Sequence, residues 1–201
     1  MYSAAILAGG RATRFNGRDK SALIVDGRTI LERQIAELSH VTRDILIVGA
    51  RNLPQSIRES AAAGLRNIDD IVPGSGPLGG IHAALTEAQG DAVFVAACDM
   101  PYLDATFISF LLELTREADA VVPRTERGYH PLCAVYTRAC LAPVSRRLAS
   151  HRLTMIDLLN DVRTRVVTAE ELSKFGGDQK LLANVNTPAE YADLDSLQHE
   201  V

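Results

Sequence analysis

The sequence predicts an α/β fold in which a mostly parallel central sheet is covered by helices on both faces, making three layers. Short apolar runs alternate with helix-like segments through the first two-thirds of the 201-residue chain. Most runs are bounded by Gly, Pro or Asp, as buried strands are. The residues with chemical potential follow the runs directly, where parallel strands would end at their carboxyl termini and where ligands sit in such folds.

The first run, Ala4 to Ala8, is a short buried strand that stops at Gly9-Gly10. Ser21 to Val25 is a second apolar stretch, turning at Asp26-Gly27. Thr29-Ile30-Leu31-Glu32 is a capping box and starts a helix through about Leu38, with Leu31, Ile35 and Leu38 as its buried stripe. Asp44 to Gly49 is a strand. Pro54 opens a helix that stops at Gly64, and a short strand ends at Asn67-Ile68-Asp69-Asp70. Pro73 to Gly80 is a turn-rich loop leading into an apolar helix from Ile81 to Ala88. Asp91 to Cys98 is the most strand-like stretch of all. Asp104 caps a helix through about Ala118. Strands follow at Ala120 to Pro123 and His130 to Tyr136, then helices around Cys140 to Leu148 and Thr154 to Leu159. Arg165 to Val167 is a short edge strand. Thr187-Pro188-Ala189-Glu190 starts a terminal helix to about Gln198. No repeat, low-complexity tract or linker interrupts the pattern, so residues 1–201 read as one domain.

The segment after the first strand is glycine-rich and cationic: Gly9, Gly10, Arg11, Arg14, Gly17, Arg18, Lys20. Glycines let backbone approach a ligand, consecutive N–H groups can cradle an anion, and cations match phosphate charge. A nucleoside triphosphate site and a surface loop with solvated arginines are both open readings. Neither the P-loop spacing nor a dinucleotide fingerprint is present. Asp99 follows the most apolar strand and is placed to hold Mg²⁺, which takes one or two carboxylates plus phosphate oxygens and water. Its alternative role, capping the next helix, suits Asp104 better. Lys20 and Arg14 can neutralise phosphate charge, though Arg14 can equally pair with Asp19. Gly76-Pro77-Leu78-Gly79-Gly80 fits either a flat platform under a nucleobase or a tight turn. Asp70 suits a base or ribose contact, or a solvated turn. His82 and His130 have no Ser or Cys at a spacing that reads as a nucleophilic triad.

Composition narrows the class. A hydrophobic content of 47%, a charged content of 23% and a net charge of −4 describe an ordinary globular chain without the basic field of a nucleic-acid binder. The three cysteines, Cys98, Cys133 and Cys140, form no C-x-x-C motif. They read as free thiols in a reducing, cytoplasmic setting. No run approaches the roughly 20 residues that span a bilayer, and no signal peptide is visible, so no membrane partner is expected.

Taken in order, the motifs resemble the MobA-type nucleotidyltransferases, the family of molybdenum cofactor guanylyltransferases. Leu7-Ala8-Gly9-Gly10, Arg14 and Asp19-Lys20 match its opening L-A-G-G … R-M-G-x-D-K. Asp70 with Pro73 to Ile81 resembles its D-x-x-P-G-x-G-P-L-x-G-I. Cys98-Asp99-Met100-Pro101 resembles its C-D-x-P metal motif, and His130-Pro131 and Asn184-Val185-Asn186-Thr187-Pro188 its later segments. The resemblance implies a Rossmann-like nucleotidyltransferase fold. It also implies transfer of GMP from GTP to molybdenum-molybdopterin, with pyrophosphate released and Mg²⁺ as cofactor. It further implies transient contact with cofactor carriers or molybdoenzymes, and a monomer or weak oligomer. Carried over by position, Leu7, Ala8, Gly9 and Gly10 line the GTP site, and Gly76, Pro77 and Leu78 belong to it. Lys20 and Arg14 meet phosphate, Asp70 the nucleoside, Asp99 the metal, and Asn184 and Asn186 the pterin side. Gly49 stands where some members carry a nucleotide-contacting asparagine, and Phe15 and Asn16 depart from the usual Met-Gly. A cytidylyltransferase for the same pterin usually opens L-A-A-G. A non-catalytic nucleotide-binding regulator would lack a metal or phosphate residue. A sugar-1-phosphate nucleotidyltransferase usually needs a longer chain.

Overall fold

The computed structural model describes residues 1–9, 23–50, 53, 54, 57, 64–185, 187 and 191, with 178 and 179 described in backbone alone. Among these residues the strands are β1 (Tyr2–Leu7), β2 (Ile24–Val25), β3 (Arg28–Thr29), β4 (Ile45–Val48), β5 (Leu65–Ile68), β6 (Ala92–Ala97), β7 (Ala120–Thr125), β8 (Gly128–Tyr129), β9 (Cys133–Thr137) and β10 (Thr164–Val167). The helices are α1 (Ile30–Ser39), α2 (Gly76–Glu87), α3 (Ala105–Glu113), α4 (Leu141–Ala149), α5 (Met155–Asp161), α6 (Ala169–Ser173) and α7 (Asp178–Leu181).

The main sheet runs β10-β7-β9-β6-β1-β4-β5, with β8 paired to β7. β9 is antiparallel to both β6 and β7, while the β1–β4, β1–β6, β4–β5 and β7–β10 pairs are parallel. The sheet is therefore mostly parallel, as the alternating pattern predicts. Strand side chains alternate between two cores. Ala4, Ile6, Ile45, Ile47, Phe94 and Ala96 face α1 and α3, with Leu172 of α6 in the same core. Ala5, Leu46, Val48, Val93 and Val95 face α2, α4 and α5. Both faces are covered, which is why β4 and β6 are apolar at every position rather than at every second one.

Local chemistry sets the boundaries. The Thr29 hydroxyl accepts from the Glu32 N–H at 3.1 Å and the Glu32 carboxylate from the Thr29 N–H at 2.9 Å, completing the expected capping box. Asp104 accepts from the Phe107 N–H at 2.7 Å and caps α3. Asp26 and Gly27, at φ 52° and 75°, make the β2–β3 turn.

Several expectations need correction. The helix expected from Ile81 starts at Gly76, because Pro77 in its first turn has no N–H to satisfy and a φ already suited to helix. β9 starts at Cys133 rather than His130. The short hairpin made by β7 and β8 was not anticipated, nor were α6 and α7. On α1 the fully buried residues are Ile30, Leu31, Gln34 and Leu38, so Gln34 joins the stripe, and Ile35 packs partly buried against the same core. Most of the expected helix from Pro54 to Gly64 lies outside the described residues. So does most of the terminal one, where Tyr191 N–H donates to Thr187 O at 3.0 Å. Among the described residues no helix is long and apolar enough to cross a membrane.

Candidate functional site

Strand register builds the site. Leu7 pairs with Val48 on one side and Ala97 on the other, and Val48 pairs with Ile68. The carboxyl ends of β6, β1, β4 and β5 thus form one row. The ladders continue one residue further. Ala8 N–H donates to Val48 O at 2.9 Å, Gly49 N–H to Ile68 O at 2.9 Å, and Cys98 N–H to Leu7 O at 3.2 Å. Ala8-Gly9, Gly49, Asp69-Asp70 and Cys98-Asp99 leave the sheet side by side. β1 is also where the chain order reverses, with later strands added on both sides, and a crevice opens at such a point.

Close approach explains two glycines on this edge. Gly49 has φ 75°, and a Cβ there would stand 3.0 Å from Gly9 Cα. Its side chain is missing because the two strand exits touch, so this position offers a ligand only backbone. Gly79 lies under the Asp70 carboxylate: a Cβ would sit 2.9 Å from Asp70 Oδ1 and 3.1 Å from Val72 O. Asp70 Oδ1 also accepts from the Val72 N–H at 3.1 Å, which orients the carboxylate over the start of α2. One residue on, Gly80 leaves room for the Leu7 side chain. Gly76 and Pro77 are exposed and Leu78 is buried.

Asp99 is half-buried at the end of β6, on a loop held from several directions. Its carbonyl accepts from the Val185 N–H at 2.9 Å. Val185 is fully buried beside Val25, Ile30 and Tyr102, and Asn184 before it is exposed. The late Asn184-Val185 segment is thereby brought to the Cys98-Asp99 turn, a contact across the chain that sequence order does not reveal. From the other side α1 reaches in. Gln34 Nε2 donates to Ala97 O at 2.7 Å and to Met100 O at 2.9 Å. Arg33 Nε donates to Pro101 O at 3.0 Å, and Glu37 accepts from the Ala105 N–H at 3.1 Å. Sequence reasoning missed these three. The available signal was Gln34 itself, a polar residue three positions after Leu31 and four before Leu38, on the buried stripe.

His130 follows the β7–β8 hairpin, its N–H donating to Pro123 O at 2.9 Å and its Nε2 lying 3.0 Å from Thr125 Oγ1. Ala97 N–H donates to Leu132 O at 2.9 Å, so the His130-Pro131-Leu132 turn runs beside the Asp99 loop. His82 does have a serine neighbour in space, with Nε2 3.1 Å from Ser145 Oγ. Ser145 spends its proton on Leu141 O at 2.8 Å, so the pair joins α2 to α4 rather than forming a nucleophile. Cys133 and Cys140 are buried free thiols whose ionisation burial pushes up to about 12, which leaves them unreactive.

Gly10, Arg14, Lys20 and Asn186 lie outside the described residues. The structure brings Leu7, Ala8, Gly9, Gly49, Asp70, Gly76, Pro77, Leu78, Asp99 and Asn184 to one edge. Asp70 and Asp99 leave strands three positions apart, about 14 Å at the usual strand spacing. That is too far for strand-end carboxylates to share one small ion. Among the described residues no three His, Cys, Asp or Glu converge as a ligand cluster. A single carboxylate suits an ion that draws its other ligands from phosphate oxygens and water, and Asp99 fits that donor set.

Comparison with known proteins agrees with this architecture. The family model described as the MobA-like NTP transferase domain matches residues 4–164. A relative from Desulfosudis oleivorans, named "Molybdenum cofactor guanylyltransferase", is 33% identical over 92% of this chain and 90% of its own. One from Pelotomaculum thermopropionicum, named "Probable molybdenum cofactor guanylyltransferase", is 34% identical over 92% of this chain and 87% of its own. The crystal structure of molybdopterin-guanine dinucleotide biosynthesis protein A from Archaeoglobus fulgidus superposes with a TM-score of 0.80 at 24% identity, covering 100% of both chains. The fold also matches 4-diphosphocytidyl-2C-methyl-D-erythritol synthase from Anaerococcus prevotii, with a TM-score of 0.71 at 14% identity over 100% of this chain and 99% of that one. With a family model matching most of the chain and relatives about one-third identical over nearly all of it, this chain belongs to the MobA-like NTP transferase family of nucleotidyltransferases.

Proposed function

We propose that this protein transfers GMP from GTP to molybdenum-molybdopterin, forming the guanine dinucleotide form of the cofactor and releasing pyrophosphate. The observation that carries this reading is the single edge on which Gly9, Gly49, Asp70 and Asp99 leave adjacent strands. The names of the relatives supply the substrates.

In this reading the acceptor phosphate attacks the α-phosphorus of GTP in line. One P–O bond forms, the α–β bridging P–O bond breaks, and pyrophosphate departs with the electron pair. No protein nucleophile is needed, so positioning and charge stabilisation carry the rate. Leu7, Ala8, Gly9 and Gly10 line the nucleotide, and Gly49 adds backbone. Asp70 holds the nucleoside, with Gly76, Pro77 and Leu78 beside it. Lys20 and Arg14 take phosphate charge. Asp99 holds Mg²⁺, which when bound neutralises charge on the phosphates. Asn184, tied to the Asp99 loop through Val185, and Asn186 are assigned to the pterin substrate. The residues act within a single domain spanning 1–201, in the cytoplasm, with transient hand-over to carrier proteins or molybdoenzymes.

The test is pyrophosphate release with Mg²⁺ and molybdenum-loaded molybdopterin, comparing GTP, CTP and ATP at equal concentration. Turnover with GTP alone is the expected result. Preference for CTP would move the protein to the cytidylyl branch, and binding without turnover would make it a regulator.

A further inference from the structure

The Asp99 loop has no regular structure of its own between the end of β6 and the start of α3. The carbonyls of Ala97, Met100 and Pro101 turn instead to α1, while that of Asp99 meets the Val185 N–H. The Gln34 amide sits fully buried and divides its two N–H donors between Ala97 O at 2.7 Å and Met100 O at 2.9 Å. Those carbonyls flank Cys98-Asp99, so one side chain pins the loop on both sides of the carboxylate. Arg33 binds the next carbonyl, Pro101 O, at 3.0 Å and is itself braced by Asp26 at 2.9 Å. Its guanidinium lies 5.5 Å from the centre of the Tyr102 ring. Glu37 caps the first turn of α3 through the Ala105 N–H at 3.1 Å.

We infer that α1 is a clamp on the metal-holding loop and that Gln34 is its positioning residue, setting how tightly Asp99 holds a divalent cation. The inference rests on the reading of Asp99 as the metal ligand. Only a long side chain with two donors on one nitrogen makes both bonds. Asparagine is one methylene short, glutamate would set acceptors against acceptors, and methionine matches the length but leaves both carbonyls unpaired. The clamp also has a place in the chain's order. α1 follows the β2–β3 hairpin, which itself follows the glycine-rich segment with Lys20.

Mn²⁺ titration by electron paramagnetic resonance tests this, with the full chain and GTP but no acceptor, so that no turnover intrudes. The expected result for Gln34→Met is Mn²⁺ binding about tenfold weaker than wild type, the usual cost of removing a group that orients a metal ligand. The Mg²⁺ concentration for half-maximal pyrophosphate release rises in parallel. Arg33→Met, a more exposed change, gives a smaller loss of roughly threefold. It decides the matter if Gln34→Met does not fold. Unchanged Mn²⁺ affinity in the folded variants, even with a lowered melting temperature, would reduce α1 to a structural support and overturn the inference. Asp99→Asn separates the two levels. If it binds Mn²⁺ as wild type does, the metal reading falls and the clamp with it. If it loses Mn²⁺ while both α1 variants keep it, the clamp alone falls.

Discussion

Asp99 and Asp104 are five positions apart on one loop and divide its work. Asp104 spends its carboxylate on the Phe107 N–H and starts α3. Asp99 stands at the end of β6. Asp99→Ala is expected to abolish pyrophosphate release while leaving circular dichroism and melting unchanged; near-normal GMP transfer would remove the metal role. Lys20→Ala is expected to weaken GTP binding, readable by equilibrium titration. Gly49 illustrates a different constraint. Its φ of 75° is one that L side chains adopt at a cost of about 1–2 kcal/mol. An added Cβ would also press on Gly9 Cα at 3.0 Å. Gly49→Ala is therefore expected to lower stability by about that amount and to raise the KM for GTP more than it lowers kcat, because it disturbs the cradle rather than the reacting atoms.

Among elements, the amino-terminal edge of the sheet mirrors the site edge but is built for stability. Asp44, 4% exposed, accepts from the Ser3 hydroxyl at 2.5 Å, from the Gln89 N–H at 2.8 Å and from Arg66 at 2.7 Å. Burial is the largest single influence and raises its pKa. The Ser3, Gln89 and Arg66 hydrogen bonds together outweigh burial and leave the carboxyl below its ordinary value of 3.8. A folded-state pKa below the unfolded one means stabilisation that is complete above the unfolded value and is lost as pH falls through the folded one. Acid titration of the melting temperature should show that loss beginning below about pH 5. Ser3→Ala removes one of those bonds and also strips the Gly90 N–H of its acceptor at 2.8 Å. It is expected to cost about 1–3 kcal/mol at neutral pH and to flatten the acid-side slope.

At the scale of the whole molecule, ligand binding should brace the edge where four strands end. A nucleotide present at a hundredfold excess over its Kd adds about 2.7 kcal/mol to folding stability. For a chain of this size that raises Tm by roughly 5–10 °C. GTP with Mg²⁺ should give that shift in a thermal melt, and Asp99→Ala should lose the part that depends on the cation. Equal shifts from GTP and CTP would point to an edge that reads phosphate and ribose without reading the base.

What was legible in the sequence was local. Apolar runs, the capping box at Thr29, the cap at Asp104 and the Asp26-Gly27 turn all act over a few residues, and the two caps and the turn appear where the pattern places them. The edge residues were legible as well, because parallel strands deliver whatever follows them to the same side. Tertiary structure alone decided the rest. It set β9 against its neighbours, brought Val185 to the Asp99 carbonyl, fitted Gly79 beneath Asp70, and sent Gln34 to a carbonyl 63 positions away. These depend on register and on close packing between distant segments. A buried backbone carbonyl must find a donor wherever the fold brings one within reach, and no short-range pattern names which residue that will be.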